Sequence, residues 1–291
     1  MQIHIVAKGN YFEHYGKALT NACRELGHDV HWFKEDTYEV PYFKADLHIV
    51  VGPNVYNHQT VLRLDGHRVG ILTEQLPHIE APLSPFVIDR AQQFQRHYPV
   101  YHRYVDWSAA HCGWLRVTFP GINLIYFPHG WIDHGLTPVK SSDCKYDICF
   151  LGENSRRREM ILDQIKALGL SVYPRSRGVW GQEKLEAIRN SKLILNVHFS
   201  DGPKSFEAHR IFDAASLGRP FLSEEMNAYG FEDIILQAEY EKIPQRARVL
   251  LRSNRQLDKR GRLQIEELSK FKLTTLIDAL VNNKEHAYGE G

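Results

Sequence analysis

Little cysteine is present to staple this 291-residue sequence, and almost no net charge to steer it. The four cysteines, Cys23, Cys112, Cys144 and Cys149, have no paired metal-ligand spacing, so a disulfide framework and a zinc ribbon are disfavoured and reduced, buried thiols are expected. A formal net charge of +1 removes any global pull toward nucleic acid or membranes, and such affinity must come from a local patch. No apolar run nears the ~18 residues of a membrane span. The opening MQIHIVAKGN is a strand pattern without a signal-peptide layout, so a cytoplasmic protein is expected.

Several catalytic loops are also missing. No GxGxxG follows a strand, and there is neither a GxxxxGK[ST] loop nor a GxSxG elbow, which disfavours conventional dinucleotide dehydrogenases, P-loop ATPases and α/β-hydrolases. No two aspartates stand one residue apart, so a DxD metal-diphosphate clamp is absent. The histidines are dispersed, with no metalloprotease pair, and no metal is expected. An anionic ligand would have to be held by helix ends and arginines.

What is present is an alternation of short apolar strands and amphipathic helices. IHIVAKGN to VHWF reads as strand, Gly9-Asn10 turn, helix to Leu26, Gly27 stop and strand; ADLHIVVGP, HRVGILTEQLP and INLIYFPHGW continue the rhythm. DHGLTPVKSSDCK then reads as a linker, after which the pattern restarts with YDICFLG, a helix capped by Asn154 or Ser155 and stopped by Gly169, and LSVYP as a strand. GQEKLEAIRNS reads as a helix, KLILNVHF as a strand, SFEAHRIFDAASLG as a helix from near Ser205, and RPFLSE as a strand. The expected architecture is α/β, with two doubly wound domains over residues 1–135 and 136–291, the last helix packing back on the first.

The chemistry gathers where KLILNVHF ends. Asn196, His198, Glu207 and Arg210 crowd an amide, an imidazole, a carboxylate and a guanidinium at a strand end and helix start, which is costly without a ligand. There the helix amino terminus and Arg210 suit a diphosphate, and Glu207 suits sugar hydroxyls; an ordinary Glu207–Arg210 surface pair is the alternative. A second candidate is Gly152 followed by Arg156, Arg157 and Arg158 in a first helical turn, where cations oppose the dipole unless an anion is near; a solvent-facing basic turn is the alternative. Tyr173, Arg175 and Trp180 suit stacking on a nucleobase or packing at a rim. In the first half, Glu74, Gln75 and His78 lie at a strand end, with His129 in FPHGW.

These motifs resemble the GT-B-fold glycosyltransferases, specifically the group 1-like, family 4-type branch. The resemblance rests on Gly152 with Arg156 to Arg158, Gly181, SKLILNVH over 191–198, Glu207 with Arg210-Ile211, and Ser223-Glu224, preceded by TEQL, VDWS and FPHGW. It implies two tandem Rossmann-like domains facing across a cleft, an acceptor-side first domain, and a second that binds a nucleoside-diphosphate sugar as substrate, with no cofactor and no metal. By that resemblance Arg210 and the Gly152 loop meet the diphosphate, Glu207 the donor hydroxyls and Asp213 the ribose, within a donor-binding set completed by Asn154, Arg156, Arg157, Arg175, Asn196, His198 and Ser205. One departure stands out: Ser205 occupies the place of the first of two paired acids, and Glu207 takes that role by hypothesis.

Retention of configuration is the family expectation; inversion would need His78 or Glu74 as base. The acceptor is a glycan, a small molecule or a modified base in DNA or RNA. The last of these draws on Arg248, Arg252, Arg255, Lys259 and Arg262, which fall at helical spacing; a solvated face paired with acids is the alternative. A GT-B protein that binds nucleotide or nucleic acid without turnover, and a nucleotide-sugar epimerase, are the competing readings.

Overall fold

Ile3, Ile5 and Val6 are fully buried, and this apolar run forms the strand β1, Gln2–Val6, an interior strand of a parallel sheet. The computed structural model describes residues 1–79, 84–174, 179–201 and 204–287. After β1 come α1 (Gly9–Glu25), β2 (Asp29–Phe33), β3 (Lys44–Val51), α2 (His58–Val61), β4 (Asp65–Leu72), α3 (Pro85–His97), β5 (Arg103–Asp106), α4 (Ala109–Thr118) and β6 (Leu124–Tyr126). The strands lie in the order β2-β1-β3-β4-β5-β6 and every pair is parallel. Near-continuous apolar strands are what a sheet covered on both faces requires. An exception is a row of histidines in register across three strands, His31, His4 and His48, where His4 Nδ1 and His48 Nδ1 are 3.1 Å apart. Burial and its two histidine neighbours push the His4 imidazole down to about 3, so it packs as a neutral ring against Phe43.

A second sheet is built from β7 (Tyr146–Cys149), α5 (Arg156–Ala167), α6 (Gly181–Arg189), β8 (Ser191–Asn196), α7 (Ala208–Ser216), β9 (Phe221–Glu224) and β10 (Leu236–Ala238), followed by α8 (Ile243–Leu250) and α9 (Asn254–Leu268). Its order is β10-β9-β8-β7, again all parallel. The expected strand LSVYP shrinks to a single bridge, Val172 to Ile148, because Pro174 has no N–H to extend a ladder. That bridge lies on the edge of β7 away from β8, so the strand order reverses between β7 and β8. In open sheets the carboxyl ends flanking such a reversal are where ligands bind. Here they are the Gly152 loop and Asn196-Val197-His198.

Packing shifts two expected elements. The helix expected from near Ser205 begins only at Ala208, since Phe206 is drawn into a stack on Phe231 with centroids 5.1 Å apart. The expected basic stripe does not run along one helix: Ser253 caps α9 by accepting from Gln256 N–H, and Arg248 belongs to α8. Elsewhere two helices meet closely, since a Cβ on Gly261 of α9 would lie 2.1 Å from the carbonyl oxygen of Gly218, the φ +68° residue that ends α7. Only glycine fits at 261.

The chain divides into two units, Met1–Ile132 with Phe271–Gly291, and Asp133–Lys270. The expected boundary after 135, with the last helix packing back on the first domain, compares with a division after Ile132 and α10 (Leu273–Val281) in the first unit. There buried Arg103 donates to Asn283 Oδ1 at 3.2 Å and to the Lys284 carbonyl, binding the chain beyond α10 to β5.

Candidate functional site

β8 is apolar from Leu193 to Leu195, and its last residue, Asn196, is fully buried. Burying an amide requires partners on both sides, and both are present. Asn196 Nδ2 donates to Ser223 Oγ at 2.9 Å, and Asn196 Oδ1 accepts from Arg210 Nη1 at 2.7 Å. Arg210 also stands 3.3 Å from Glu207 Oε2, yet its side chain keeps 31% of its surface exposed. The guanidinium is therefore aimed by a buried amide while part of its edge remains open. Glu207 occupies the capping position of α7 with φ −90° and ψ 57°, and its side chain does not cap the helix.

His198 lies two residues beyond the strand and is 3% exposed. Its backbone N–H donates to Glu224 Oε2 at 3.1 Å, and its Nε2 lies 3.0 Å from the Glu225 carbonyl oxygen, which places the ring proton on Nε2. Nδ1 is then a lone-pair acceptor, and among the described residues it is buried with no partner. Burial lowers the pKa of the imidazole below its ordinary value and outweighs the opposing pull of Glu207 and Glu224, so the ring is neutral at pH 7. A buried unpaired acceptor is costly, and a ligand hydroxyl or N–H would satisfy it.

The start of α5 is different. Ser155 caps it, accepting from Arg158 N–H, and of the three arginines Arg156 alone is exposed, beside exposed Glu153, Asn154 and Glu159. The Arg157 guanidinium is clamped by both carboxylate oxygens of Glu224, donates from Nε to Asp201 at 2.6 Å, and lies 3.8 Å over the Tyr240 ring. Burial would lower its pKa, but Glu224 and Asp201 raise it. Arg157, expected within the donor-binding set, thus has its charge neutralised by the protein's own carboxylates. Arg158 is buried and donates to the Val197 and Glu153 carbonyls at 2.8 and 2.9 Å, tying the end of β8 to the Gly152 loop. At Gly152 a Cβ would lie 2.7 Å from the Phe150 ring and 3.1 Å from Arg158. The missing Cβ leaves space for that brace.

Asp213 is 2% exposed and lies among three basic side chains: Lys184 Nζ at 2.7 Å, His134 Nε2 at 3.3 Å and His209 Nε2 at 3.4 Å. Burial would raise its pKa, but Lys184, His209 and His134 prevail and hold it well below the usual carboxylate range. A depressed carboxylate contributes stability that is complete above about pH 4 and is lost as pH falls through its folded value. Asp213, expected at the ribose, has oxygens that already face these cations. Ser205 is likewise buried, and Arg175 lies outside the described residues.

In the first unit Glu74 pairs with Arg90 at 3.3 Å, and His78 is buried with its ring 5.2 Å from that of His111. His111 accepts from Leu76 N–H and donates to Asp106 Oδ1 at 3.2 Å. His129 has φ 68° and is fully buried beside Tyr15 and Trp107. Among the described residues no group of three or more His, Cys, Asp or Glu could hold a metal, and no helix is long and apolar enough to cross a membrane. All four cysteines are free.

Lys184 and His209 were missing from the sequence reading. Lys184 sits four residues before Ile188 on the buried stripe of α6, and a lysine on an apolar face signals a buried acid. His209 lies four residues before Asp213 on α7, a spacing that brings side chains together.

No family model matches the chain. Two mimivirus proteins of Acanthamoeba polyphaga mimivirus are similar in part: uncharacterized protein L140 is 34% identical over 104 residues, and uncharacterized protein L137 is 31% identical over 114 residues. These matches take in 34% and 38% of this chain but only 34% and 16% of the relatives' own lengths. Solved structures match along nearly the whole chain. Phage T4 BGT in complex with its UDP-glucose substrate has a TM-score of 0.60 at 14% identity, covering 98% of this chain and 99% of that one. AviGT4, a glycosyltransferase involved in avilamycin A biosynthesis, reaches 0.62 at 12% identity, covering 97% and 96%. Anabaena HepE in complex with UDP-glucose reaches 0.62 at 10%, covering 97% and 99%. At these identities the likeness is one of fold, and the fold is the parallel-sheet α/β architecture of GT-B glycosyltransferases.

Proposed function

We propose that the chain transfers a sugar from a nucleoside-diphosphate sugar to an acceptor hydroxyl, with the second unit holding the donor and the first serving the acceptor. The observation that carries this reading is Arg210, held by buried Asn196 yet partly open at the uncapped start of α7, with the unpaired Nδ1 of His198 at the end of the same strand. As the bond from the anomeric carbon to the diphosphate breaks, negative charge grows on the leaving oxygens. Arg210 and the first-turn N–H groups of α7 oppose that charge without a metal ion. Glu207 and neutral His198 are acceptors suited to sugar or ribose hydroxyls. Arg156 and Asn154, exposed at the start of α5, stand as outer donor contacts, with Arg175 completing the set.

Retention follows as part of this reading. Glu74 is taken up by Arg90 and His78 is packed on His111, so the acceptor proton passes to the departing phosphate oxygen as the new bond forms on the same face. The test is a panel of UDP-, GDP-, dTDP- and ADP-sugars read by thermal shift and slow donor hydrolysis. One donor class should raise Tm and be hydrolysed, both effects should vanish in Arg210→Ala, and the released sugar should keep its anomeric configuration by NMR. No response to any donor would sink the assignment.

A further inference from the structure

Between Arg246 and Arg262 the sequence carries seven cations against one acid, Asp258, in a chain whose net charge is +1. Asp258 is occupied elsewhere, accepting from the N–H and Oγ of Ser141 at 3.0 and 2.6 Å. Of the cations, Arg260 donates to the Asp233 carbonyl at 3.1 Å. The side chains of Arg246, Arg248, Arg252, Arg255, Lys259 and Arg262 are exposed and have no ion pair or hydrogen bond to any described residue. Elsewhere in the second unit Lys166, Lys192, Lys204, Lys242 and Lys270 each have a carboxylate partner.

Geometry adds to composition. In α9, Leu257, Gly261, Gln264 and Leu268 are buried, and Arg255, Lys259 and Arg262 repeat at the same spacing two residues earlier, about 200° round the helix. They therefore face directly away from the core. Arg255 also stands in the first turn of α9, which holds no acid, so its charge opposes the helix dipole. Unpaired cations held close together are a standing electrostatic cost that a polyanion would relieve.

We propose that the exposed faces of α8 and α9 form a docking surface for the phosphates of a nucleic acid. Two features favour nucleic acid over an anionic membrane. Six of the seven cations are arginines, whose planar forks match phosphate oxygens bidentately. A helix lying on a membrane also needs an apolar face turned to lipid, and here those faces are buried, with Val249 the one large hydrophobic in the stretch that is exposed. This surface stands apart from the sugar-transfer reading; a nucleic-acid acceptor would follow only if both hold.

The test is fluorescence anisotropy of the full chain with labelled DNA duplex, single-stranded DNA and RNA, from about 50 to about 200 mM salt. Wild type should bind at least one probe. Arg255→Glu/Lys259→Glu/Arg262→Glu should weaken binding about tenfold or more and lower the slope of log K against log salt by roughly 3. The neutral set Arg255→Gln/Lys259→Gln/Arg262→Gln should fall between the two, which guards against a folding defect. A control of equal charge change, Lys17→Glu/Arg24→Glu/Arg116→Glu, should have much less effect. The proposal is overturned if the two reversals weaken binding equally, if wild type binds no nucleic acid, or if it binds only phosphatidylserine vesicles through these side chains.

Discussion

The second unit presents arginines at two helix starts that flank the same strand end, and they have opposite fates. At α5 three consecutive arginines are largely consumed by the protein: Arg157 by Glu224 and Asp201, Arg158 by two carbonyls, with Ser155 capping the helix. At α7 one arginine is fixed by a buried amide and by Glu207 at 3.3 Å, the Glu207 side chain does not cap the helix, and among the described residues an imidazole nitrogen lies buried without a partner. The cavity beside Arg157 sharpens the contrast, since Asp201, Glu224, Glu225, Glu239 and Glu241 line it and would repel a diphosphate. A count of cations therefore misplaces the anion site. On the proposed reading the better candidate is the cation that keeps an open edge: Arg210, held by the Asn196 amide and by Glu207 at 3.3 Å, is still 31% exposed.

Three experiments would break or sharpen this comparison. The largest effect is expected from Arg158→Met, which strips the donor from two backbone carbonyls; chemical denaturation should show a loss of about 2–4 kcal/mol. A loss under about 0.5 kcal/mol would mean that the α5 arginines are not structural. Next, Arg210→Met should cost only about 1 kcal/mol of stability but weaken donor binding by roughly 10–100-fold in calorimetry, the value of a charge-assisted hydrogen bond. Arg157→Met should do the reverse, lowering Tm with donor affinity changed by no more than about threefold. Equal effects on affinity would erase the distinction between the two helix starts.

The smallest effect concerns pH. His198 is neutral at pH 7 and its folded pKa lies below the unfolded value near 6.5. Its contribution to stability is thus complete above about pH 6.5 and declines as pH falls from there through the folded value. Donor affinity should follow the same direction, because protonation turns the Nδ1 acceptor into a donor. A decline of about threefold on acidification, absent in His198→Ala, is expected. Affinity that rises instead would assign Nδ1 to a phosphate oxygen rather than to a hydroxyl.

Much of the fold was legible along the chain because strand burial and helix amphipathicity are local patterns. KLILNVHF reads as a strand, and Gly27, Gly169 and Gly218 end helices where expected, each with positive φ. LSVYP was less legible, since its apolar pattern is that of a strand while Pro174 ends the ladder after one bridge. The candidate site was half legible. Asn196, Arg210 and Glu207 do come together, but no spacing rule discloses that Arg157 reaches Glu224 across 67 positions or that Asp213 collects Lys184 and His134.

The sequence by itself determined the alternating parallel α/β architecture and the crowding of polar groups after β8, because both depend on neighbours within a few residues. It also determined the unbalanced charge of 246–262, which is plain composition. Tertiary structure alone decided which of those charges remain unsatisfied. Ion pairing depends on which carboxylates the fold carries to within about 4 Å, and burial then makes each pairing or orphan cost several times what it would at the surface.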